Sequence, residues 1–167
     1  MQDKKIAALI LEARRGCVVL VNKWDLLEGS TTREYTEAFQ RAVPFLSFVP
    51  LVFASAKSGF NIRKSIDVID QVAAQITTEV PTSTLNKVLH GCFERVQPPM
   101  VQGRRMKFYY ATQTGTKPVR FRLFVNDTVK LTDAYRLYLI NQLRQAFGLE
   151  GAPIVLNFAS SHETKKP

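Results

Sequence analysis

The chain has 167 residues, 46% of them hydrophobic and 22% charged, with a formal net charge of +9. That is enough apolar material for one ordinary domain or two small ones, and too much for a disordered chain. The only two cysteines, Cys17 and Cys92, lie in apolar surroundings without framework spacing; this argues against a disulfide scaffold and for a reducing, cytoplasmic setting. No apolar run approaches the roughly 18 residues of a membrane span, so no membrane is expected among the partners.

Residues 1–16 set Lys4, Lys5, Arg14 and Arg15 around a stripe of Ile6, Leu9, Ile10 and Ala13, the pattern of an amphipathic helix and not of a signal segment. Arg14, Arg15 and then Gly16 predict its end, with the glycine in a left-handed conformation. Cys17 to Val21 reads as a buried strand. Thr31 and Glu34 have capping-box spacing ahead of Tyr35, Ala38, Phe39 and Ala42, a helix that cannot pass Pro44. The run FVPLVFA (48–54) predicts a second strand, with Pro50 near its start. Ile62, Ile66, Ile69, Ala73 and Ile76 recur at helical spacing after Asn61, a plausible cap. Two buried strands separated by a helix predict parallel neighbours in a doubly wound sheet, with ligands beyond the strands' carboxyl ends.

The stretch TTEVPTST (77–84) reads as a linker in which Pro81 bars a continuing helix. It divides the chain into residues 1–80 and 81–167. Beyond it Leu85, Val88, Leu89 and Cys92 mark a helix; KFYYATQ (107–113) and VRFRLFVN (119–126) read as strands joined by a loop with Gly115 and Pro118. Tyr135, Leu139, Leu143 and Phe147 mark a long helix ending near Gly148, and Ile154, Leu156 and Phe158 alternate as a last strand. The tail SSHETKKP, with His162, reads as loose. Charge divides with the domains: residues 1–81 carry ten Lys or Arg against nine Asp or Glu, residues 82–167 thirteen against five. The asymmetry predicts an anionic partner for the second half, nucleic acid first, with a solvated basic face as the plain alternative.

Two polar motifs leave the two apolar strands of the first half. Asn22, Lys23 and Asp25 follow the first strand in VVLVNKWD, and Ser55, Ala56 and Lys57 follow the second. Guanine presents a ring N–H and an exocyclic amino group side by side, and one carboxylate, Asp25, can accept from both. Adenine lacks that donor pair. Asn22 can hold the loop and reach the base's acceptor edge, the stem of Lys23 can lie over the purine, and the Ala56 N–H can donate to the guanine carbonyl. The alternative is a turn in which Asn22 and Asp25 only cap the following segment.

These motifs are similar to the last two nucleotide-binding motifs of P-loop GTPases. More narrowly, QDKKIAALILEARRGCVVLVNKWD, KFYYATQTGTKPVRFRLFVN and YRLYLINQLRQAFGLEGAPIVLNF resemble the bacterial ribosome-assembly GTPase family Der, also called EngA, over nearly the whole chain. The resemblance implies an α/β fold: a partial P-loop GTPase half-domain with a doubly wound parallel sheet, followed by a small α+β KH-like domain. It implies GTP, GDP and magnesium as ligands of the whole protein, hydrolysis of GTP, and a role in large ribosomal subunit biogenesis. Yet the sequence has no GK[ST] triplet and no glycine before Gly16, so the G-x-x-x-x-G-K-[ST] phosphate cradle is missing. Judged by the family, the chain is the C-terminal part of a longer protein, starting about midway through its second GTP-binding domain. Alone it is expected to bind nucleotide weakly or not at all and to carry no catalytic residue. An interrupted sheet also exposes a strand edge, which predicts self-association or a rearranged first half.

In the second half Arg120 and Arg122 alternate with Phe121 and Leu123, so a strand would project both from one face. With Arg104, Arg105 and Lys107 they form a candidate patch for ribosomal RNA or the large ribosomal subunit; docking onto the N-terminal GTP-binding domain is the competing use. Tyr109 and Tyr110 adjoin it and can stack on bases or serve a core. GLEG (148–151) has the G-x-x-G pattern of an RNA-clamping KH loop, but lies between a helix and the final strand, where a helix-ending turn explains it more simply. His90 and Cys92 on one helix fall short of a zinc site, and no metal ligand set or hydrolytic triad is read.

Overall fold

The computed structural model describes residues 2–101, 103–126 and 131–160. The chain forms two units, the first of Met1–Ile76 with Glu150–Pro153, the second of Thr77–Leu149 with the segment from Ile154 onward.

In the first unit, helix α1 (Gln2–Glu12) ends before the residue expected to end it. The left-handed position is Arg14, at φ 50°, and not Gly16. The Arg14 N–H donates to the Leu11 carbonyl at 3.0 Å and the Arg15 N–H to that of Ile10 at 3.3 Å, the paired bonds of a Schellman ending. Gly16 instead marks a close approach: a Cβ there would stand 3.2 Å from methyls of both Val72 and Ile76.

Strands β1 (Val19–Val21) and β2 (Leu51–Phe53) pair in parallel, with Val19 opposite Leu51 and Val21 opposite Phe53. Helix α2 (Thr32–Ala42) lies between them in sequence and opens on the predicted capping box. Its Thr31 Oγ1 accepts from the Glu34 N–H at 3.2 Å, and the Glu34 carboxylate accepts from the Thr31 N–H at 2.9 Å. A small core gathers Val43, Leu46 and Val49 with Ala7, Cys17, Val19, Phe39 and Phe48.

Helix α3 (Ile62–Gln75) forms as predicted but turns a different face inward. Ser65 and Val72 are buried, whereas Ile66 and Ile69 are 55% and 53% exposed. Period identifies residues that share a face; it does not identify the face that finds a partner. Here β1 has one neighbouring strand among the described residues, and Leu20, expected inside a buried strand, is 47% exposed. The two-stranded sheet is too narrow to cover the isoleucine stripe. Asn61 does precede α3, but its amide donates to the Phe53 carbonyl at 2.9 Å and caps no helical N–H.

The second unit is built from α4 (Thr82–Arg95), β3 (Met100–Val101), β4 (Arg104–Arg105), β5 (Phe108–Gly115), β6 (Val119–Val125), α5 (Asp133–Phe147) and β7 (Ile154–Ser160). Strands β5, β6 and β7 form one sheet in that order, β5 antiparallel and β7 parallel to central β6. The short β3–β4 hairpin was not legible, because two residues carry no period. On β6 Val119, Phe121, Leu123 and Val125 are sealed, and they join Leu85 and Leu89 of α4 and Leu139 and Leu143 of α5. Tyr135 and Tyr138 of α5 donate their hydroxyls to the carbonyls of Val96 (2.6 Å) and Cys92 (3.2 Å), the first beyond the last backbone bond of α4 and the second shared with the Val96 N–H. Burial raises the Tyr135 phenol well above its ordinary value and also raises both free thiols, Cys17 and Cys92.

The stretch read as a linker is pinned. Gln113 of β5 donates to the Thr78 carbonyl at 2.8 Å and accepts from the Val80 N–H at 2.7 Å. Asn86 of α4 likewise exchanges two bonds with the backbone of Ala111, at 2.8 and 2.9 Å. Gly148, at φ 60°, ends α5 as a left-handed cap. Gly151 belongs to the first unit, where its N–H donates to Phe48 and its carbonyl accepts from Cys17. The GLEG stretch is thus a helix end and a backbone contact. No helix among the described residues is long and apolar enough to cross a membrane.

Candidate functional site

Backbone pairing carries the two polar motifs of the first unit to one mouth. The ladder of β1 and β2 extends past the strands themselves: the Ala54 N–H donates to Val21 at 2.9 Å and the Trp24 N–H to Ala54 at 3.0 Å. Both chains therefore leave the carboxyl end of the sheet side by side, the position where open parallel sheets bind ligands. Asn22 joins them. Its amide oxygen accepts from the Lys23 N–H at 2.8 Å and, across 34 residues of sequence, from the Ala56 N–H at 3.1 Å. The first bond is the local turn contact of the plain alternative; the second ties the loops together.

The Ala56 bond modifies one expectation. That N–H was assigned to a guanine carbonyl, and here it already has an acceptor, because the Asn22 oxygen lies within reach and a backbone donor takes an available acceptor. Ser55 is fully buried; its N–H donates to Phe60 at 3.0 Å and its hydroxyl accepts from the Ser58 N–H at 3.2 Å, closing the loop that presents Ala56 and Lys57. Lys23 sits at φ 62°, a left-handed conformation costing a lysine roughly 1 kcal/mol and typical of segments held for function. Asp25 lies in a 3-10 turn, Trp24–Leu26. It is exposed and makes no hydrogen bond or ion pair among the described residues, so both carboxylate oxygens are open to donors.

Trp24, the free position of the motif, is the residue sequence reasoning passed over. Its ring meets Phe53 at 4.5 Å and Tyr35 at 5.7 Å, and those two rings meet each other at 5.8 Å. This cluster fixes the turn to β2 and α2 from below. An aromatic between two charged residues is the signal that could have found it. Two concavities of the first unit lie elsewhere. One of about 370 Å³ runs between α2 and α3, and one of about 440 Å³ lies beside Gly16, Leu20 and Ile69. Asn22, Lys23, Asp25, Ala56 and Lys57 thus form an open surface.

The basic residues of the second unit fall into two groups. Arg120 and Arg122 are exposed on the outer face of β6, as their alternation predicts. Arg122 lies opposite Thr112 and Asn157, and Arg120 opposite Gly115 and Val155. Arg105 and Lys107 precede Phe108, which pairs with Val125 at the other end of β6. At about 3.3 Å per residue that is roughly 16 Å from Arg120. Arg104 is in β4, and its side chain lies outside the described residues, as does His162. Tyr109 and Tyr110 are both 44% exposed; neither is core, and Tyr110 stacks on Phe124 at 4.2 Å.

With this geometry in view, relatedness is informative. Residues 79–159 match a family profile described as the KH-domain-like C-terminal region of EngA bacterial GTPase enzymes. The chain is 41% identical over 166 residues to GTPase Der of Protochlamydia amoebophila, spanning 99% of this chain and 34% of that relative. It is 43% identical to GTPase Der of Syntrophotalea carbinolica over 159 residues, and 43% to that of Caldanaerobacter subterraneus over 158. Those matches cover 94% and 93% of this chain and 36% of each relative. The chain thus spans about a third of the length of the curated relatives it matches. Along nearly all of its own length the chain is similar to GTPases of the Der type, and its second unit matches the KH-domain-like C-terminal region of EngA enzymes.

Proposed function

We propose that Asn22, Lys23, Asp25, Ser55, Ala56 and Lys57 form the guanine-recognising end of a GTP site in a Der-type protein that acts in assembly of the large ribosomal subunit. The observation carrying this reading is the Asn22–Ala56 hydrogen bond, which sets an unpaired carboxylate and a second loop at one mouth of a parallel sheet. In the bound state Asp25 accepts from the guanine ring N–H and amino group, and the Ala56 N–H is shared between Asn22 and the base carbonyl. The phosphates and magnesium need a cradle that these 167 residues do not supply. Hydrolysis belongs to the whole protein, in the cytoplasm, and no step of it is assigned to this chain.

The test is nucleotide selectivity after adding a polypeptide that carries a G-x-x-x-x-G-K-[ST] half-domain. GDP with magnesium should bind in preference to ADP, and Asp25→Ala should erase the preference, a loss of two charge-assisted bonds and about 3 kcal/mol. Equal binding of both nucleotides by the unsubstituted pair would overturn the reading.

A second reading concerns the second unit: contact with ribosomal RNA through its exposed cations. The exposed pair Arg120 and Arg122, in a half carrying thirteen basic against five acidic residues, supports it. Salt-dependent RNA binding favours this reading; affinity for an N-terminal GTP-binding domain without RNA binding favours docking.

A further inference from the structure

Between the C-terminal half of α4 and the segment joining β4 to β5 lies an open-sided hollow of about 380 Å³, at the small end of ligand-sized clefts, which start near roughly 300 Å³. Its floor is a run of rings: Phe93 stacks on Phe108 at 4.8 Å with planes 10° apart, and His90 meets the same Phe108 at 4.9 Å. His90 and Tyr109, both exposed, bring the aromatic surface to solvent. Arg105 and Lys107 stand at its rim. Arg105 is steadied by a hydrogen bond to the Gln97 side chain. The rim backbone is fixed as well: Asn126 accepts from the Lys107 N–H at 2.7 Å and donates to the Arg105 carbonyl at 3.3 Å. Glu94 also lines the hollow and offers an acceptor for a base amino group.

We propose that this hollow holds an unpaired nucleotide of single-stranded RNA, its base on the exposed rings of His90 and Tyr109 and its phosphate between Arg105 and Lys107. Rings beside fixed cations are how single strands are gripped without a fold-specific loop, since every base has a flat face to stack. A duplex cannot offer its bases this way. The site is separate from the GLEG turn and from the Arg120–Arg122 face. It rests on the reading that the second unit contacts RNA and names the place and the strandedness.

The test is fluorescence anisotropy of the full chain with a short unstructured RNA and with a duplex of the same length, across a range of salt. The double substitution His90→Ala with Tyr109→Ala should weaken single-strand binding about tenfold and leave duplex binding unchanged. Lys107→Gln should lower the salt slope by about one. Unchanged melting would show that the variants still fold. If RNA binds but responds only to Arg122→Gln, the hollow is overturned while the RNA reading stands. If neither RNA binds, both fall.

Discussion

At Asn22 one amide oxygen serves two backbone donors, and the more distant of them, Ala56, defines the spacing of the proposed base site. Asn22→Ala should leave the fold intact, costing about 1 kcal/mol, while hydrogen exchange at the Ala56 amide accelerates; unchanged exchange would mean that the loops are held by other contacts. Glu34 gives a pH-dependent counterpart. Hydrogen bonds from the Thr31 backbone and hydroxyl hold its carboxylate below the ordinary glutamate range. A depressed folded value means that the contribution is complete above the unfolded value and is lost as pH falls through the folded one. Glu34→Gln should therefore flatten the acid limb of a thermal-melting profile against pH without moving its neutral region. The capping box was legible because four consecutive residues determine it. The Asn22–Ala56 contact was legible only in part, because spacing placed both residues beyond strands but said nothing of which acceptor the Ala56 N–H would find.

Among elements, strand and helix positions followed from period, and inward faces followed only where a complete layer covers them. On α5 the stripe of Tyr135, Leu139 and Leu143 is sealed, as its spacing predicts. On α3 the equally regular stripe through Ile66 and Ile69 is exposed, because two strands cannot cover it. Leu139→Ala should thus cost about 2–5 kcal/mol and Ile69→Ala less than about 0.5 kcal/mol in denaturant melts. Comparable losses at the two positions would show that α3 is covered in solution. Gly151 supplies a third comparison. It lies at φ +76°, and an added Cβ would stand 2.7 Å from a Val72 methyl and 2.9 Å from the Cys17 carbonyl oxygen. Gly151→Ala should cost about 2 kcal/mol or more, whereas the sequence reading places this glycine in a helix-ending turn. The helix-ending role of its neighbour Gly148 was readable, since a glycine after the last periodic residue is a local signal; Gly151's close approach is tertiary and was not.

Across the molecule, sealed side chains are unevenly distributed. Among the described residues, only Ser55 of the ten largest fully buried side chains belongs to the first unit; the others, Phe121, Leu85, Leu139 and Leu143 among them, belong to the second. Hydrogen exchange should accordingly be slowest in β6, α4 and α5 and markedly faster in α1, β1 and α3. Uniform protection across both units would contradict that division. The same imbalance bears on function: a thin first unit keeps the loops of the proposed base site in register, but its sequence holds no phosphate cradle. Whether base contacts alone can hold a nucleotide is settled most directly by calorimetry of this chain with GDP and magnesium. Weak heat that fails to saturate into the millimolar range is the predicted result, and a saturating isotherm in the micromolar range would contradict it.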